Sequence, residues 1–263
     1  MTPPRGGWLA AAPGITVAAF ALPIGAGLLG TLLPAFGILP ALGRTTPSLD
    51  PWRELAALPG FATSVRLTLV TGFAATILAF LLAMGFCAWA WQRPLARRIG
   101  AWLAPVLATP HSALALGLAF LIAPSGWLLR LVSPWGTGFD LPPDVATVGH
   151  PSGAALVLGL VVKEVPYLVL MTIGALSQVR AGEALAVSRA LGYGRAATWF
   201  KVIVPQVYPQ LRLPVLAVLA FSLSVVDVAL ILGPSNPPPL AVLAVRLFQD
   251  ADLRFWFPAA AAA

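Results

Sequence analysis

The chain has 263 residues, of which 59% are apolar and only 10% charged, with a mean hydropathy of +0.89. A soluble domain carries about 45–50% apolar and about 25% charged residues, so this composition excludes an ordinary water-soluble globule. Sixteen Lys and Arg against nine Asp and Glu leave a net charge of +7; in so apolar a chain that excess belongs at membrane surfaces rather than on nucleic acid.

A span needs about 20 apolar residues, and the predicted elements follow in chain order. Trp8 to Phe36 is apolar throughout and longer than the roughly 7–15-residue core of a signal peptide, which predicts a retained anchor. Residues 37–60 form a mixed-charge loop rich in proline. A second span runs from Ser64 to Trp91 and ends on the aromatic belt of Trp89 and Trp91, before a short basic turn from Gln92 to Arg98. The third, Gly100 to Ile122, is interrupted by Pro105 and Pro110. Residues 124–152, rich in Pro and Gly and carrying Trp127 and Trp135, predict a loop with a short interfacial segment.

The fourth span, Gly153 to Leu176, holds Lys163, Glu164 and Pro166, and the fifth, Leu213 to Leu232, holds Asp227. Between them Ser177 to Arg212 is too polar to insert. Gly233 to Pro239 makes a rigid loop and Leu240 to Phe248 a short helix. The ending Trp256-Phe257-Pro258 followed by alanines predicts the first turn of a sixth helix that breaks off. The fold class is therefore an all-α polytopic membrane bundle of five complete spans and the start of a sixth. Residues 1–60 supply an N-terminal helix and outer loop, and 61–263 the main domain.

Charge settles the expected orientation. With the N-terminus inside, the inner segments hold nine basic residues (Arg5, Arg93, Arg97, Arg98, Arg180, Arg189, Arg195, Lys201, Arg212) and one acid, Glu183, a net +8. The outer segments hold six of each sign and sum to zero. Lys and Arg counted alone also favour a cytoplasmic N-terminus.

Enzymatic chemistry finds little support. No GxxxxGK[ST] is present, so the chain does not itself bind ATP as a P-loop protein. His111 and His150 each stand beside proline without a second ligand at metal spacing, and Cys87, the only cysteine, lies in an apolar run as a packing residue. No metal site and no catalytic residue is expected.

The stretch between the fourth and fifth spans is amphipathic. Ala184, Leu185, Val187, Ser188 and Leu191 recur at helical spacing, Gly192 and Gly194 break the helix, and a second short helix from Ala196 to Val204 presents Trp199, Phe200, Val202 and Ile203 before stopping at Pro205. By physics alone this is either a compact knob for a soluble partner or an interfacial re-entry held by Trp199 and Lys201. Leu191-Gly192-Tyr193-Gly194-Arg195, with Trp199-Phe200-Lys201-Val202-Ile203-Val204-Pro205 following, resembles the cytoplasmic EAA loop of type I ABC-importer permeases, the family with the MetI-like fold. Gly192 to Pro205 keeps the motif's spacing of thirteen residues, with Val204 where Leu is common, and the resemblance extends over about residues 60–263.

That resemblance implies a permease subunit of a bacterial inner membrane importer. It would receive a small solute from a periplasmic binding protein and pair with a second permease half or a homologous permease. Through loop 180–205 it would couple to separate cytoplasmic ATPase subunits, which bind the ATP. It assigns the coupling to Glu183, Ala186, Ser188, Leu191, Gly192, Trp199, Phe200 and Pro205. The motif's Glu-Ala-Ala falls on Ala186-Val187-Ser188, so the carboxylate is offered instead by Glu183, nearly one helical turn earlier. Lys163-Glu164-Val165-Pro166 and Val226-Asp227-Val228-Ala229 resemble the branch of permeases for thiamine, ferric iron or phosphonates, in which one long chain often carries two homologous halves; a first half ending at its sixth span would match this sequence.

An ionisable group at membrane depth costs at least about 2.5 kcal/mol by insertion scales, so Lys163, Glu164 and Asp227 are functional candidates. Lys163 and Asp227, on neighbouring helices, are the expected buried pair, either fixing helix packing or lining a pathway. The same three charges leave open an ion-coupled secondary transporter, and a non-transporting membrane scaffold is the third reading.

Overall fold

The computed structural model describes residues 7–90, 96–179 and 181–263. Arg5, the turn positions Trp91, Gln92, Arg93 and Pro94, and Arg180 lie outside the described residues. All regular structure among the described residues is helical, as a bilayer requires of a chain that must satisfy its backbone within each segment. Five segments are long and apolar enough to cross a membrane: Ala11–Ala35, Phe61–Ala90, His111–Val132, Ala154–Gln178 and Arg195–Ser224. The chain divides into two units, residues up to 61 with 243–263, and residues 62–242.

In the first unit, α1 (Gly7–Ala35) is apolar on every side and exposed along nearly its whole described length, the surface of a helix that meets lipid. A short 3-10 turn (Pro40–Leu42) and α2 (Asp50–Ala57) occupy the expected mixed-charge loop. Near the end of the chain, α13 (Trp256–Ala262) begins where the Trp-Phe-Pro-Ala sequence predicts a helix. Its Ala259, Ala260 and Ala261 are buried against Ala35 and Leu55, because a side chain of one methyl lets helices approach closely. The Arg44 guanidinium sits 4.4 Å over the Phe257 ring and 3.5 Å from the Glu54 carboxylate.

The second unit contains α3 (Phe61–Ala90), α4 (Ala96–Ala108), α5 (His111–Ile122), α6 (Trp127–Val132), α7 (Ala154–Gln178), α8 (Ala181–Ala190), α9 (Arg195–Thr198), α10 (Val204–Ser224) and α11 (Asp227–Leu232). Between the units' sequences, α12 (Leu240–Phe248) has the expected bounds. Ala75, Ala79 and Ala83 recur every fourth residue of α3 and are wholly buried, Ala75 in a core with residues of α5, α7 and α11 and the other two in a core with residues of α4, α7 and α10. At Gly72 an added Cβ would come 2.6 Å from Leu223 of α10, and at Gly159 of α7 it would strike Leu232 of α11. Cys87 is buried in the same core, as a small packing residue.

Two expected spans are corrected. The third, Gly100 to Ile122, is two helices, because Pro110 has no N–H to continue the ladder and becomes the N-cap of α5. The fifth neither begins at Leu213 nor reaches Leu232. Its helix starts at Arg195 and runs through Pro205 to Ser224, and Asp227 opens the separate α11 after a break at Val225. Pro205 does not stop the helix as expected. A π-turn, Trp199–Ile203, widens the backbone just ahead of it, and Pro205 then sits in the first turn of α10, where a missing N–H costs nothing.

Candidate translocation cleft and coupling loop

Lys163 and Glu164 lie near the middle of α7 and are both buried. Successive helical residues point about 100° apart at 3.6 residues per turn, and the two side chains accordingly meet different surroundings. Lys163 Nζ donates to the carbonyl oxygens of Val106 at 2.8 Å, Leu107 at 3.0 Å and Thr109. Val106 and Leu107 belong to the last turn of α4 and Thr109 follows its end, where Pro110 stops the ladder and leaves carbonyls without helical partners. All three ammonium donors are therefore engaged.

That geometry corrects the expected pair. Among the described residues Lys163 makes no ion pair with Asp227, which is exposed in the first turn of α11, where the helix N-terminus favours an acid. The break at Val225 removes Asp227 from the span in which it was expected. Glu164 faces elsewhere: its carboxylate has no hydrogen-bond donor among the described residues, and His111 Nε2 stands 4.0 Å away. The His111 ring in turn lies 4.6 Å from that of Phe221, tilted by 45°.

These groups line a cleft of about 250 Å³ bounded by Leu107 and His111 at the α4–α5 break, Lys163, Glu164 and Tyr167 of α7, and Ala217, Val218 and Phe221 of α10. By sequence alone His111 stands beside proline with no second ligand at metal spacing. Its placement beside Glu164 follows from the Pro110 break, which starts α5 at this depth. The sequence signal available was the pairing of a proline with a histidine inside an apolar run.

The coupling-loop candidates fall on one feature. α8 is closed by a Schellman motif, in which Tyr193 N–H donates to the Ser188 carbonyl at 2.9 Å and Gly192 N–H to that of Arg189 at 3.0 Å. Gly192 takes φ +79°, a conformation that L side chains resist. The buried face of α8 is Ala181, Leu185 and Ser188, with Ala184 half-buried; Ala186, Val187 and Leu191 point outward, so the expected shared face is divided. Glu183 is exposed on the first turn.

The second arm also sorts its aromatic residues. Trp199 and Ile203 are buried in the core with Val207 and Leu211, whereas Phe200 is 63% exposed and Leu191 70%. Arg195 donates to the carbonyls of Ala88 at 3.3 Å and Trp89 at 3.0 Å, tying the start of this helix to the end of α3. Lys201 lies 5.8 Å from the Tyr193 ring centroid. The arrangement is a loop anchored by Trp199 and Arg195, with Val187, Leu191, Tyr193 and Phe200 displayed outside it.

No family model matches the chain. Among curated proteins, the inner membrane ABC transporter permease protein YnjC of Escherichia coli (strain K12) is similar to it, 34% identical over 206 residues. The match covers 78% of this chain, and the chain spans 38% of that relative's length.

Proposed function

We propose that this chain is a membrane permease subunit of an ATP-binding-cassette importer, with the cleft at Glu164 on the solute's path and loop 180–205 as the seat of a separate ATPase. The similarity to an inner membrane ABC transporter permease over 78% of the chain supports the class. The observation that carries the mechanism is the loop's division of labour: Trp199 at 1% exposure fixes it to the bundle core, while Leu191 and Phe200 remain available to a partner. A knob of this kind seats in a groove and transmits a rigid displacement, because α9 continues through the π-turn into α10, which lines the cleft. Movement of the knob on ATPase closure would thus shift Ala217, Val218 and Phe221 against α7.

The remaining parts of the reading follow from charge. The inner segments' net +8 supports a cytoplasmic N-terminus and loop in a bacterial cell. A binding protein would deliver solute from the opposite side, and a second permease half or a homologous permease would complete the pore. The ion-coupled secondary transporter loses the expected Lys163–Asp227 pair, since Lys163 is held by carbonyls and Asp227 is exposed. The test is purification of the tagged full chain from native membranes: a P-loop ATPase and ATP hydrolysis should accompany it and be lost with Leu191→Asp or Phe200→Asp while membrane insertion persists. ATPase recovery unchanged by both substitutions would overturn the reading.

A further inference from the structure

We infer that the groove between the C-terminal end of α3 and the coupling loop holds one phospholipid with an anionic headgroup, its phosphate at Arg195 and its glycerol and first acyl carbons along Gly85. Among the described residues the groove, of about 400 Å³, has Gly85, Ala88 and Trp89 of α3 on one side and Arg195, Trp199 and Phe200 on the other. Its floor is bare, since a Cβ added at Gly85 would meet nothing within 4 Å. It is separate from the α7 cleft and shares no lining residue with it.

Three observations select that occupant. The first is where the groove leads. Leu78, Leu82, Gly85 and Trp89 are spaced so that they share one face of α3, and all four are exposed. On a helix long and apolar enough to cross a membrane, an exposed aliphatic face meets lipid, so the groove is continuous with the bilayer. The second is charge. Arg195 is exposed, and one terminal nitrogen donates to the carbonyls of both Ala88 and Trp89, which fixes the guanidinium at the end of α3. A guanidinium already held in place recognises a phosphate at small entropic cost, and the net +8 of the segments on this side favours an anionic headgroup over a neutral one. The third is the wall. Trp89, whose ring lies 6.0 Å from that of Phe86, and Phe200 are exposed rings at the end of a span, the level at which an indole meets headgroups. Between rings and a bare floor, a flexible hydrocarbon segment packs without needing hydrogen-bond partners. Phe200 then borders the lipid on one side and the face offered to the ATPase on the other.

The test is native mass spectrometry of the full chain in detergent, titrated with dioleoyl phosphatidylglycerol or with dioleoyl phosphatidylcholine, which has the same acyl chains and no net charge. Saturable retention of phosphatidylglycerol is expected, roughly fivefold or more tighter than phosphatidylcholine. Free glycerol phosphate at equal concentration should not displace it. Gly85→Leu fills the floor without touching Arg195 and should bring phosphatidylglycerol down to the phosphatidylcholine level. Arg195→Gln should do the same, and Arg195→Lys, which keeps the charge, should retain most of the preference. Should Arg195→Gln fail to fold, Gly85→Leu and the lipid comparison on the unaltered chain decide. Equal retention of the two lipids, a preference untouched by Gly85→Leu, or displacement by glycerol phosphate overturns the assignment. Loss of ATPase recovery in Gly85→Leu, with no lipid preference in the unaltered chain, would give the groove to a protein partner and overturn it as well.

Discussion

Lys163 Nζ lies 2.8 Å from the carbonyl oxygen of Val106, the acceptor that would serve residue 110 in a continuous helix and that Pro110 cannot use. A proline between two helices and a lysine in a third are thus two halves of one device. The lysine closes the end of α4, and because it is satisfied there, its neighbour Glu164 is the charge left facing the cleft.

Lys163→Met should therefore destabilise the protein by about 2–4 kcal/mol, since it strands buried carbonyls that had a charged donor. Asp227→Asn, at an exposed position, should stay within about 0.5 kcal/mol. Denaturant or thermal unfolding in detergent checks both, and equal losses would restore the pair that the geometry denies.

Gly192 occupies φ +79° with open space around its Cα, so the cost of substitution is backbone strain alone. Gly192→Ala should lose about 1–2 kcal/mol from the Schellman turn. Gly194, at φ −69° and the N-cap of α9, where glycine is preferred to alanine, should lose about 0.5–1 kcal/mol to alanine from that cap and nothing from the Schellman turn. The readout is amide exchange across 188–195 with ATPase recovery alongside: Gly192→Ala loosens the turn and weakens docking, and Gly194→Ala does neither.

Close approach, not conformation, restricts Gly159. A side chain there meets Leu232 of α11, and Gly159→Leu should cost about 1–3 kcal/mol by overpacking. Gly174, on the same helix with nothing within 4 Å, should gain up to about 1 kcal/mol from alanine through helix propensity. Opposite shifts of melting temperature for the two variants are the expected result.

At the far end of the chain, Asp252 accepts hydrogen bonds from the Arg254 side chain, at 2.7 Å for the closest, and from the Arg254 backbone N–H at 3.0 Å. The guanidinium bonds, then the backbone bond, hold the Asp252 carboxyl below its ordinary value. A depressed carboxylate contributes order that is complete above the ordinary aspartate range and is lost as pH falls through the lower folded value. Carboxyl-detected titration of Asp252 should show that depression, shrinking in high salt because the Arg254 guanidinium is exposed to solvent; an unshifted titration at low salt would refute it.

How much of this was legible in the sequence depends on the range of the interactions involved. Composition and apolar runs determined the class, the positions of α1, α3, α7 and α12, and the turn at Gly192, because lipid burial and glycine conformation are local properties of a residue and its neighbours. Three outcomes were settled only in the folded chain. Pro205 reads as a stop, yet the π-turn at Trp199–Ile203 accommodates it and lengthens the fifth span. Asp227 reads as intramembrane, yet the break at Val225 releases it. Lys163 reads as the partner of an acid, yet it bonds carbonyls 54 to 57 residues away in sequence. In each case a backbone break elsewhere created or removed a partner. Periodicity reports which side chains avoid water, but not where an orphaned backbone group will find its donor.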